Sequence, residues 1–100
     1  MFVGVAVIDI LVPHSGSLKA KRSVVNSLKG RIQSRLKVSV SEVGDPELWQ
    51  RASVAVAAVG ADAARVEETL DAARRLAESL RDGRIIGYHA DVVPWSFEAR

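Results

Sequence analysis

At 100 residues, with 48% hydrophobic and 26% charged side chains, the chain has the balance of one globular domain, residues 1–100, with one core and more room for a binding face than for a deep enclosed active site. It contains no cysteine, which excludes disulfides, thiolate metal sites, iron–sulfur clusters and a cysteine nucleophile. No apolar run reaches the length of a membrane span and no charged leader precedes one, so neither signal peptide nor membrane contact is expected and the cytoplasm is the default location.

Residues 2–12, FVGVAVIDILV, are β-branched and apolar with hardly a polar position, which predicts a central strand covered on both faces. Pro13-His14-Ser15-Gly16 breaks the run, and Ser17 stands as the N-cap of a long helix to Lys37. In that helix Leu18, Val25, Leu28, Ile32 and Leu36 share one face. The net charge of +2 is concentrated here: seven Lys or Arg residues lie between Asp9 and Glu42 without an intervening acid. Lys19, Lys21 and Arg22 fall in the first two turns, where cations oppose the helix dipole. Either a partner requires them there, or their long stems pack along the surface with the charges in water. Gly30 stands alone inside the helix, as a flexible or closely packed point.

Val38–Val43 alternates apolar and polar residues, as an edge strand does, and Gly44-Asp45-Pro46 ends it. Residues 51–59, RASVAVAAV, form a third, more central strand in antiparallel register with the second. Asp62 caps a second helix to about Leu80, with Val66, Leu70, Ala73, Ala77 and Leu80 on one face and mixed charges elsewhere. Arg84–Val93 supplies a fourth strand before Pro94. The order is βαββαβ, which predicts a ferredoxin-like α+β sandwich: a four-stranded antiparallel sheet, both helices on one face, strands one and three in the middle.

Three blocks carry a further signal. SLKAKRSVV at 17–25, SEVG at 41–44 and LWQRA at 48–52, with Val66-Glu67-Glu68, resemble the YlxP family of small bacterial proteins across most of the chain. The resemblance implies the ferredoxin-like fold and no established activity. It also implies a connection to RNA or the ribosome by gene neighbourhood, since the family's genes often lie near those for translation and ribosome-maturation factors, ribosome-binding factor A among them.

Other chemistries of this fold leave marks that are missing. Base stacking on the central strands needs aromatic residues, and strand one offers only Phe2. No phosphate-cradling loop with arginine follows strand one, and there is no glycine-rich nucleotide motif. His14, in the turn before the basic helix, is an acid–base or anion-binding candidate set against plain exposure. On strand four His89 and Asp91 share a face; if Ile86, Tyr88, Ala90 and Val92 point to the helices, those two point away, on the same side as Val3, Val5, Val7 and Asp9. Asp9 and His89 suggest a dyad, yet no activated nucleophile accompanies them and two histidines make no metal site without further ligands. No cofactor, no metal and no catalytic residue are therefore expected. The leading expectation is a non-enzymatic domain whose Lys19, Lys21, Arg22, Lys29, Arg31 and Arg35 neutralise phosphates of RNA or a ribosomal surface. The alternative is a self-associating structural or regulatory module, a homodimer through the open sheet face at Val3, Val5, Val7, Asp9, His89 and Asp91.

Overall fold

The computed structural model describes residues 1–13 and 16–97; His14 lies outside the described residues. The chain runs β1 (Phe2–Leu11), α1 (Leu18–Arg35), β2 (Ser39–Glu42), β3 (Arg51–Gly60), α2 (Ala63–Glu78) and β4 (Arg84–Pro94). The four strands form one antiparallel sheet in the order β2-β3-β1-β4. This is the ferredoxin-like arrangement, with the two most apolar strands central because they have neighbours on both sides. Both caps form: the Ser17 hydroxyl accepts from the Ala20 amide at 3.1 Å, and the Asp62 carboxylate from the Ala64 amide at 2.9 Å. Each satisfies a donor that the first turn leaves without a helical partner.

Strand alternation sends every second residue of β1 and β3 into the core. Ala6, Ile8 and Ile10 of β1 and Ala52, Val54 and Val56 of β3 are buried. Over them lie Val25, Leu28 and Ile32 of α1 and Val66, Leu70, Ala73 and Ala77 of α2. Burying a side chain of the Ile8 or Leu28 class stabilises the fold by roughly 1.5–3 kcal/mol. Gly4 makes the α2 contact possible, because a Cβ there would stand 2.9 Å from Leu70 Cδ1 and overlap Val66.

Two expectations about strand faces are corrected. Helices cover β1 on one side only; on the other, Val5 is 43% exposed, so the continuous apolar run does not signal a doubly covered strand within the monomer. In β4, Ile10 pairs with Ile85 but Asp9 pairs with Gly87, a bulge that leaves Ile86 without an opposite residue. Ile85 therefore packs against the core and Ile86 is turned out, 45% exposed. Simple alternation assigns Ile86 to the helices, and one extra residue reverses it.

Candidate nucleic-acid interface

The six predicted phosphate ligands all lie on α1, but they do not form one surface. At 100° per residue, Arg22 and Lys29 lie on the flank of the core stripe opposite the one that carries Arg31 and Arg35, and Lys19 sits farther round on the Arg22 side. Lys21 lies within the stripe itself.

Lys21 is 0% exposed, and its ammonium has three partners: Glu42 Oε2 at 3.3 Å, Pro46 O at 3.0 Å and Arg51 O at 3.5 Å. An ammonium carries three protons, so its donor capacity is filled from the end of β2, the β2–β3 connection and the start of β3. Assigning it to a phosphate is therefore corrected: it is a staple that holds residues 43–50 against the helix. A signal for this was present. Positions 21, 25, 28 and 32 are spaced by four, three and four, as are Val66, Leu70, Ala73 and Ala77, and both sets are the buried faces of their helices. Leu18 is apolar and starts a stripe by hydropathy, whereas the lysine holds the better-spaced position.

Arg31 and Arg35 turn toward α2. With Leu36, Ala72, Arg75, Leu76 and Ser79 they line a groove between the helices that contains no carboxylate. Arg31 donates from its guanidinium to Ser79 Oγ at 3.0 Å, which fixes the side chain across the groove and leaves it without an ionic partner among the described residues. The groove continues past Ser23, Ser27, Arg81 and Asp82 to the depression that holds Arg84 and Pro13. Arg74, one position from Arg75, is committed elsewhere. It pairs with Glu78 at 3.0 Å and lies 5.1 Å over the Tyr88 ring. Burial, reinforced by Asp71, pushes the Tyr88 phenol above its usual range, while Arg74 opposes the shift.

The open-face candidates come together in part. Val5, Val7, His89 and Asp91 line one shallow depression, and Val3 is the next outward residue of β1. Register sets Asp9 and His89 one diagonal step apart on the same face: His89 stands opposite Val7, and Asp9 opposite Gly87. Asp9 instead accepts a 2.6 Å hydrogen bond from Ser53 Oγ. A side chain at position 87 would crowd it, since a Cβ there would stand 2.8 Å from Asp9 Oδ2. Among the described residues no three His, Asp or Glu gather as a metal site, and no helix is long and apolar enough to cross a membrane.

Fold and surface together define a small ferredoxin-like domain with an arginine-lined helical groove on one side and an open apolar sheet on the other. Residues 3–90 match the family model described as a protein of unknown function, DUF503. The chain is 37% identical over 68 residues to the uncharacterized protein YlxP of Bacillus subtilis (strain 168), covering 68% of this chain and 74% of that relative. The protein belongs to the DUF503/YlxP family. The three blocks on which the resemblance rests, SLKAKR, SEVG and LWQRA, meet in space where Lys21 bonds Glu42 and the backbone at Pro46 and Arg51.

Proposed function

We propose that the protein is a non-enzymatic binding domain that takes the phosphate backbone of RNA, free or on a ribosomal surface, into the groove between α1 and α2. The observation that supports this reading is the convergence of Arg31, Arg35 and Arg75 on one stretch of that groove that contains no carboxylate. Arg74, by contrast, meets an acid, Glu78. Guanidiniums that line one groove can each offer a phosphate paired, charge-assisted hydrogen bonds. Serines 23, 27 and 79 along the same groove add neutral donors of the kind that position a backbone without reading its sequence. Beyond the helix pair Arg81 and Arg84 flank the groove together with one acid, Asp82.

The test is the salt dependence of binding to ribosomal RNA and of ribosome co-sedimentation. Replacing Arg31, Arg35 and Arg75 together by Gln is expected to keep the fold and to lower the slope of log K against log salt by about 2–3, at 0.7–0.9 per phosphate contact. The same measurement on Lys19→Gln/Arg22→Gln separates the two flanks of α1: the groove reading expects a smaller change there. An unchanged slope in the triple variant rejects the groove.

A further inference from the structure

We propose that a second copy of this chain covers the open face of the sheet, forming a homodimer about a twofold axis that runs along the strands between β3 and β1. The face is apolar where it is most open: Val5 is 43%, Val59 70%, Val93 48% and Trp95 58% exposed. Trp95 belongs to it because its amide donates to Met1 O at 2.8 Å, carrying the β1–β4 ladder one residue further. Ten-residue strands with a four-residue β2 give a face of about 550 Å² in projection, at 3.4 Å per residue and 4.8 Å per strand. Two such faces together amount to about 1,100 Å², just above the roughly 1,000 Å² that a specific interface should clear. No lysine or arginine lies in the outward rows between Ser53 and Val59 of β3 or between Met1 and Asp9 of β1, so an anionic polymer is not the occupant.

The register argues for self-complementarity. Ser39, Ala57, Val5 and Asp91 form one row across the sheet, and Ser41, Ala55, Val7 and His89 the next outward row. With strand order β2-β3-β1-β4, the proposed axis lays β1 on the partner's β3 and β4 on the partner's β2. Val5 then meets the partner's Ala57 and Val7 the partner's Ala55, large against small, which lets the two sheets interdigitate without a void. At the margins Asp91 meets the partner's Ser39, whose hydroxyl can donate to the carboxylate, and His89 meets the partner's Ser41. Aligned sheets cross at about 30°, which shifts the margins by about one residue, half the spacing between outward rows, so the margin side chains face the partner's β2 and β4 with some offset. An apolar centre flanked on both sides by matched polar groups is the anatomy of a symmetric interface.

The partner contact has a direct test because the chain has no cysteine of its own. Ser39→Cys and Asp91→Cys proteins, mixed and treated with a bis-maleimide that spans the roughly 10 Å between stacked sheets, are expected to cross-link to each other in preference to either homotypic product. Two copies of the same position lie on opposite edges of the proposed dimer, offset by about 14 Å across three strand spacings in addition to the gap between the sheets, which disfavours the homotypic products. Sedimentation equilibrium of the unmodified protein is expected to give twice the 10.8 kDa chain mass. Ala57→Arg, which fills the small position with a charge on a face outside the monomer core, is expected to weaken dimerisation by more than tenfold while leaving the salt slope of RNA binding unchanged. An unmodified protein that is monomeric at high micromolar concentration overturns the proposal. So does homotypic cross-linking equal to the heterotypic product, and this result does not depend on whether Ala57→Arg folds.

Discussion

Lys21 and Arg31 belong to the same helix and the same run of positive charge, yet they have opposite fates. On the β2 side of α1 the nearest strand ends in Glu42, and the lysine in reach of it is fully buried, with its protons divided between that carboxylate and two backbone carbonyls. On the α2 side Glu78 is held by Arg74, and Arg31 finds only a serine hydroxyl, with Asp82 farther along the same groove. A buried ammonium is tolerable because every proton has an acceptor, since an unpaired charge in the core costs several kcal/mol. An exposed guanidinium without an acid costs little in water and is available to a partner. A run of cations in sequence is therefore not one functional unit; what each cation meets across the fold divides structural charge from working charge.

The contrast is broken most severely at the buried end. Lys21→Met leaves Glu42 and two carbonyls without their donor and is expected to cost about 3 kcal/mol, somewhat tempered because the Glu42 side chain is 19% exposed. For a domain of this size that is a fall in Tm on the order of 12–24 °C. Pairing it with Glu42→Leu is expected to recover much of the loss. A Lys21→Met protein that melts like the parent but loses RNA affinity would return this residue to the binding surface. Next in size is Gly30→Ala, which tests the side of α1 away from the core: a Cβ there meets nothing within 4 Å, so Gly30 is not a closely packed point. Helix propensity alone is expected to stabilise the fold by about 0.5–1 kcal/mol in chemical denaturation. A loss of stability would show that the position is covered. The smallest effect belongs to Lys19→Gln/Arg22→Gln, both exposed near the helix start. Removing charge that opposes the dipole is expected to raise stability by about 0.3 kcal/mol per site at low ionic strength, and the gain should fade as salt is added. A destabilisation of the size expected for Lys21 would mean that these two are structural as well.

Much of this architecture was legible in the chain. The apolar runs at 2–12 and 51–59, the caps at Ser17 and Asp62 and the helical spacing of Val66, Leu70, Ala73 and Ala77 place six elements in the order observed, because periodicity and capping act over a few residues. The six-cation site was legible only as a charge count. Arg75, which completes the groove beside Arg31 and Arg35, reads in sequence as one charge among many on a mixed helix, and nothing local distinguishes it from Arg74. Likewise, Asp9 and His89 share a face by alternation, but which residue stands opposite which depends on register, and the bulge at Ile86 sends that residue to the other side of the sheet.

By itself, then, the sequence determined the elements, their order and the two buried helix stripes, since each follows from patterns within one segment. Only the tertiary structure decided that the Lys21 ammonium meets Glu42 and the carbonyls of Pro46 and Arg51, that Arg31 and Arg35 join Arg75, that Asp9 bonds Ser53 and that valines 3, 5 and 7 line up with Val59, Ala57 and Ala55. These depend on contacts between residues tens of positions apart, where one step of register or one turn of helix changes the neighbour, and with it whether a charge is satisfied inside the protein or left for a partner.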